Sequence, residues 1–203
     1  MIKSGENMII TNEMAKNYFK DYNNKNTKLA REVKNGNLFK IVNGLYETNA
    51  DTPGYLLSGS IYGPSYISFE YALSFYGLIP ERVNVITCAT FNKRKKKQFK
   101  TQFGTFIYRD VPILAYPEEI ILKEENNYSY QIASKEKALC DKLYTLKPLI
   151  NYANLENMLF NDLRIDKNIF KELNVLKIER LSVLYHSTNV KILARYMRSS
   201  ENE

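Results

Sequence analysis

The stretch TKLAREVKNGNLFKIVNGLYE, residues 27–47, decides how this chain is read. Leu29, Ala30 and Val33 fall on one side of a short helix running from Thr27 to about Asn35, with Gly36 placed as its left-handed stop. The opposite arc carries Thr27, Lys28, Arg31, Lys34 and Asn35. NLFKIV and LYET follow as two strand-like runs joined by Asn43-Gly44, a dipeptide suited to a two-residue type I′ turn because both positions need positive φ. That register sets Lys40 opposite Glu47 and Ile41 opposite Tyr46. Upstream, residues 11–22 read as another helix, capped by Thr11, with Met14, Ala15, Tyr18, Phe19 and Tyr22 on one face. Residues 23–26 break it.

The first fifty residues therefore spell helix, turn, helix, tight hairpin, the order of a winged helix-turn-helix. In that arrangement the second helix enters the major groove, where Arg and Lys meet guanine acceptors and Asn meets adenine. The expected DNA contacts are Thr27, Lys28, Arg31, Lys34 and Asn35 from the helix, with Lys40 and Asn43 of the hairpin on the phosphate backbone. A complete module has one more helix in front, which residues 1–10 are too few to supply. The other reading of the same residues is a small helical cap with its cations in water.

The formal net charge of +7 over 203 residues is unevenly distributed. Residues 1–50 hold eight Lys/Arg against five Asp/Glu, and residues 91–109 hold seven against none. The remainder is close to neutral. Lys93, Arg94, Lys95, Lys96 and Lys97 form an uninterrupted basic run, a candidate patch for nucleic acid or for an acidic partner. Strand-like segments on either side, Val83 to Thr90 and Thr105 to Asp110, predict that the run sits on a loop at one end of a sheet, its charges in water. The aromatics interleaved with it, Phe91, Phe99, Phe103 and Phe106, are read as anchors in the core rather than as stacking platforms for bases.

The boundary falls at NADTPG, residues 49–54, which divides the chain into domains 1–50 and 51–203. In the second part, helices are predicted from Gly54 to Tyr62 and after Ser68, the latter capped by Ser68 and stopped by Gly77. A hairpin crosses Asn126-Asn127 between EEIILK and YSYQIA. Ser134 caps a helix carrying Ala138, Leu139 and Leu143, and further amphipathic segments continue to Met197. The fold class is thus α+β: a small N-terminal winged helix-turn-helix, then a larger mixed α/β domain with a helical C-terminus.

Composition narrows the chemistry. One histidine, His186, and two distant cysteines, Cys88 and Cys140, cannot assemble a zinc cluster or a disulfide framework by usual spacing. Both thiols read as small buried hydrophobes, and His186 as a helix-end residue. Glu70, Glu81 and Asp110 match no metal-dependent motif and read as surface carboxylates. Gly59-Ser60 is followed by no carboxylate pair fit to hold a metal-bound triphosphate. Ser65 and Ser68 have no evident base, and no phosphate-binding glycine loop is present. The expectation is a cytoplasmic protein without catalytic residues, metal, cofactor or small-molecule substrate, and without a membrane segment, since no run approaches roughly 18 apolar residues.

Longer-range pattern adds a resemblance. Ile41-Val42-Asn43-Gly44-Leu45-Tyr46, then Tyr66-Ile67-Ser68-Phe69-Glu70-Tyr71-Ala72-Leu73, then Tyr76-Gly77-Leu78-Ile79-Pro80 stand in an order similar to that of the AbiEi-type antitoxins of type IV abortive-infection systems. The strand Val83-Asn84-Val85-Ile86-Thr87, the basic turn Asn92 to Lys97, and Ser134-Lys135-Glu136-Lys137-Ala138-Leu139-Cys140-Asp141 extend the likeness over roughly residues 8–145. The resemblance implies an N-terminal winged helix that binds operator DNA and represses its own operon. It also implies a C-terminal domain that counters a nucleotidyltransferase toxin, whether or not by direct contact. The alternative is a non-enzymatic protein-interaction or RNA-binding module built on a degenerate winged helix.

Overall fold

A computed structural model describes residues 7–200; residues 1–6 and 201–203 lie outside the described part. Most of the segment expected to be too short for a leading helix falls in the first of these. Its end does not: Ile9–Thr11 form a strand, β1, which the sequence reading lacks. Thr11 closes β1 and caps α1 (Asn12–Tyr18), its hydroxyl oxygen accepting from the Met14 N–H at 3.2 Å. The helix ends four residues short of Tyr22. Of its predicted face only Ala15 and Phe19 are buried, in a small cluster with Ile10, Leu29 and Leu38, while Met14, Tyr18 and Tyr22 stay exposed.

Helix α2 (Lys25–Lys34) begins two residues before Thr27, because Asn24 is its cap, accepting from the Thr27 N–H at 3.0 Å. Gly36, with φ +74°, follows the helix as expected. Strands β2 (Phe39–Val42) and β3 (Leu45–Glu47) complete an antiparallel sheet in the order β1-β3-β2. The hairpin register differs from the expected one: Lys40 faces Tyr46, Phe39 faces Glu47, and Val42 faces Leu45, so Ile41 is an extra residue. Only Gly44 of the turn pair has positive φ, which excludes type I′. The cause is packing: a bulge lets Ile41, 4% exposed, leave the small sheet and enter the core of the larger unit.

The larger unit is a six-stranded mixed sheet ordered β6-β7-β5-β4-β9-β8, flanked by helices. In chain order come α3 (Gly54–Ile61), β4 (Tyr66–Ile67), α4 (Phe69–Phe75), β5 (Ile86–Thr90), β6 (Lys97–Thr101), β7 (Gly104–Asp110), β8 (Ile120–Glu125), β9 (Tyr128–Ala133) and α5 (Lys135–Tyr144). Gly54 starts α3 so close to the β6–β7 turn that a Cβ there would stand 2.1 Å from the Phe103 carbonyl oxygen, leaving no room for a side chain. Asn126 and Asn127 both take positive φ, so the β8–β9 hairpin has the turn the sequence predicts. Ser134 caps α5 as predicted, accepting from the Lys137 N–H at 3.2 Å. Ser68 occupies the cap position of α4 without capping it: its hydroxyl donates to Asp141 Oδ2 at 2.6 Å.

Four C-terminal helices follow, α6 (Tyr152–Glu156), α7 (Lys167–Lys171), α8 (Val175–Tyr185) and α9 (Thr188–Ser200), with a π-helical turn Asn157–Asp162 after α6. Among the described residues no helix is long and apolar enough to cross a membrane. Cys88 and Cys140 are fully buried, and His186 ends α8 in a left-handed conformation.

The two sheets are joined by a buried carboxylate. Glu47, fully buried at the end of β3, accepts from the N–H groups of Met8, Thr48 and Asn49 and from the Tyr128 hydroxyl of β9 at 2.7 Å. In the expected register Glu47 instead faces Lys40; here Phe39 stands opposite Glu47.

The tyrosines of the core make stability pH-dependent. Burial pushes the hydroxyls of Tyr66, Tyr108 and Tyr185 upward, and those of Tyr76 and Tyr116 up to about 12. An unfolded tyrosine ionises near pH 10, so above that pH the unfolded chain binds fewer protons than the folded one and stability falls. Lys137 acts the other way, because burial lowers its pKa. It is one group against nine, since burial also raises Tyr55, Tyr71, Tyr128 and Tyr130. Urea midpoints are therefore expected to fall steeply above about pH 10, with delayed phenolate absorbance. Full ionisation of all sixteen tyrosines near pH 10 in a still folded protein contradicts this.

Candidate nucleic-acid interface

Helix α2 presents its polar arc as the sequence predicts, with one change. Thr27, Arg31, Lys34 and Asn35 are exposed. Lys28 is not a free cation: its ammonium lies 2.6 Å from Glu32, one turn along, and 4.9 Å from the centroid of the Tyr22 ring. The hydrogen bond to Glu32 raises the Lys28 pKa, and bonds from Lys28 and then Asn37 lower that of Glu32. The centre of the arc is thus neutralised internally. The i, i+4 spacing of Lys28 and Glu32 is the signal in the sequence that shows this. Arg31 and Lys34, in the last turn, make no ion pair among the described residues and also complement the helix dipole.

The hairpin residues Lys40 and Asn43 are exposed and line two depressions. One, of about 390 Å³, runs between α2 and the small sheet, with Asn26, Ala30 and Val33 facing Lys40. The other, of about 760 Å³, separates the hairpin from β6, and Lys40 and Asn43 face Lys100 and Gln102 across a floor that includes Ile41 and Phe99. Neither Lys100 nor Gln102 is among the predicted contacts. The alternation in KQFKT marks out Lys100 only once β6 is known to be an edge strand: Lys97, Phe99 and Thr101 lean inward, and Gln98 and Lys100 face water, while Gln102 lies in the turn after β6.

Topology fixes where the basic run lies. Strand β7 sits between β5 and β6 and runs parallel to β5. The chain leaving β5 must therefore cross the carboxyl end of β7 to reach the edge. Asp110, the last residue of β7, accepts from the Thr90 hydroxyl at 2.7 Å and from the Arg94 N–H at 2.6 Å. Asp110 is thus a clamp on the loop, with Asn92 and Arg94 in left-handed conformations beneath it.

The run is only in part the free loop expected. Lys93 donates to the Gly63 carbonyl at 3.0 Å and lies 5.0 Å from the Tyr62 ring centroid. Arg94, Lys95 and Lys96 are exposed, whereas Lys97 opens β6 opposite Tyr108. The core reading holds for three of the four aromatics: Phe106 is fully buried, Phe99 and Phe103 pack against the core, and Phe91 is half-buried outside it, its ring centroid 4.4 Å from that of Tyr116. The edge strand then carries positive charge from Lys97 to Lys100, about 10 Å at the usual rise per residue.

The carboxylates do not converge. Glu70 takes Arg109 at 3.1 Å and Lys142 at 2.7 Å, and Glu81 takes Arg164 at 2.7 Å, leaving Asp110 with its loop. Among the described residues no group of three His, Cys, Asp or Glu side chains is placed to hold a metal ion. Gly59 and Ser60 lie exposed on α3. Ser68 has an acid partner that sequence reasoning missed, Asp141, yet both are fully buried and closed to a substrate. Compared with known proteins, the chain matches no family model and no curated sequence.

Proposed function

We propose that the chain is a DNA-binding antitoxin of the AbiEi type, a cytoplasmic repressor of its own operon that counters a nucleotidyltransferase toxin and carries out no reaction itself. The connectivity strand, helix, helix, strand, strand, with the first strand beside the last, supports reading residues 9–47 as the DNA-contacting part of a winged helix. The observation that carries the proposal is the placement of charge. Arg31 and Lys34 on α2, Lys40 and Asn43 on the hairpin, and Lys100 on β6 across the cleft stand exposed on three separate elements. Such an arrangement suits a helix in the major groove flanked by backbone contacts. Lys28, held by Glu32, acts in this reading as a support for the helix rather than as a base contact.

The test is a titration of the upstream operon DNA at two salt concentrations. Replacing Arg31 with alanine is expected to cost about 1–3 kcal/mol of specific binding, and Lys34→Ala to flatten the salt dependence. Lys28→Ala is expected to weaken binding less than either. Unchanged affinity in the Arg31→Ala, Lys34→Ala double variant sinks the assignment.

A further inference from the structure

A further concave site lies in the C-terminal helices, formed by α6, the π-helical turn, α7 and α9. It measures about 560 Å³, within the range of small-molecule sites. The π-helical turn shapes it. The Leu163 N–H donates to the Met158 carbonyl five residues back, at 2.9 Å, and the widened turn places Phe160 and Asn161 along the groove. Phe160 packs edge-on against Phe170, ring centroids 5.4 Å apart, and Tyr196 of α9 stands 6.4 Å from Phe170. Phe160 and Tyr196 both line the groove and are only half-buried, with Tyr152 edge-on to the Tyr196 ring at 5.7 Å.

Charge is distributed unequally around these rings. Lys167 and Lys171, one turn apart on α7, line the groove exposed and make no ion pair among the described residues; Lys167 lies 5.2 Å from the Phe160 ring centroid. Glu156 also lines the groove and accepts from the Tyr196 hydroxyl at 2.9 Å. Asn161 donates to Asn157 Oδ1 at 2.9 Å, which fixes a pair of carboxamides beside the rings.

We propose that this groove binds a nucleotide, the base resting on Phe160 and Tyr196 and the phosphate held by Lys167 and Lys171. An apolar ligand has no use for two lysines and two carboxamides, and inorganic phosphate has none for aromatic rings. A nucleotide uses both: its base stacks on aromatic faces, its phosphate pairs with the unopposed ammonium groups, and its base edge can hydrogen-bond to carboxamides. The Glu156 carboxylate repels phosphate and so sets the orientation. The residues are distinct from those proposed to meet operator DNA, so this site stands or falls separately.

The experiment is calorimetric titration of the full chain with each of the four ribonucleoside triphosphates, the matching nucleosides, and a single-stranded tetraribonucleotide. At least one triphosphate is expected to bind at least about tenfold more tightly than its nucleoside. Lys167→Gln with Lys171→Gln is expected to abolish that difference, and Phe160→Leu to weaken nucleoside and nucleotide alike. Unchanged melting temperatures show that the variants fold. Tighter binding of the tetranucleotide than of any mononucleotide assigns the site to a nucleotide within an RNA strand; the reverse assigns it to the free nucleotide. The proposal is overturned if no nucleotide binds at millimolar concentration or if nucleoside and nucleotide bind equally. It also falls if Lys95, Lys96 and Lys97 changed to Gln abolish binding that the Lys167, Lys171 variant retains.

Discussion

Replacing Asp141 with alanine is expected to remove about 3–5 kcal/mol of folding free energy, the cost of taking one partner out of a buried ion pair. Asp141 and Lys137 are one turn apart in α5, both fully buried, with Nζ and Oδ1 3.4 Å apart. Lys137 also donates to the Ala115 carbonyl at 2.5 Å and to the Tyr185 hydroxyl at 2.7 Å. Asp141 Oδ2 accepts from Ser68 at 2.6 Å and Tyr66 at 3.0 Å, and its Oδ1 accepts from Tyr185. One carboxylate therefore ties β4, the start of α4, α5 and α8 together. Alanine leaves the Lys137 ammonium in a site whose burial already lowers its pKa, and it leaves hydroxyls without an acceptor. Asp141→Asn retains an acceptor oxygen and is expected to lose less. Adding Lys137→Met to Asp141→Ala is expected to recover part of the loss, since the orphaned charge goes with it. Urea denaturation measures all three; a loss under about 1 kcal/mol for Asp141→Ala, or no recovery in the double variant, shows that the pair is no tie.

What the sequence made legible follows the reach of each interaction. Ser134 is read as a cap and is one, because its partner, the Lys137 N–H, is three residues away. Asn126-Asn127 is read as a turn and holds both residues at positive φ, with Glu125 facing Tyr128 in unshifted register across it. Asn43-Gly44 is the stronger turn signal by composition, yet its register shifts, because Ile41 gains more by burial in the larger core than by staying in the small sheet. Ser68 fails as a cap for the same kind of reason, its hydroxyl committed to a carboxylate 73 residues on.

The candidate interface divides along the same line. The exposure of Arg31, Lys34, Lys40 and Asn43 follows from local periodicity. Neutralisation of Lys28 by Glu32 is also local, and was there to be read at i, i+4 spacing. The contribution of Lys100 was not, since the pairing that puts β6 at the sheet edge beside the hairpin depends on β7 returning between β5 and β6. Strand β1, three residues long, is too short to leave a periodic trace.

Changing Lys95, Lys96 and Lys97 together to Gln is expected, on the DNA-binding reading, to lower operator affinity by about a hundredfold near physiological salt. Each phosphate contact releases counterions and adds about 0.9 to the slope of log affinity against log salt, so three lost contacts remove roughly 2.7 from that slope. Lys97 is half-buried in β6 and Lys95 and Lys96 are exposed, so the two loop lysines supply most of the change. The loop should keep its shape, because what pins it is Asp110 on the Arg94 N–H and Lys93 on the Gly63 carbonyl, none of which is altered. Titrations at two salt concentrations give the slope, and survival of cells expressing the toxin gives the second readout. A shallower slope with intact rescue places the run on DNA, as an extension of the footprint begun by α2 and the hairpin. Lost rescue with unchanged DNA binding moves the run to toxin neutralisation. No effect on either leaves a solvated loop, and the footprint then ends at the cleft between Lys40 and Lys100, where the single variant Lys100→Gln becomes the one that must change the slope.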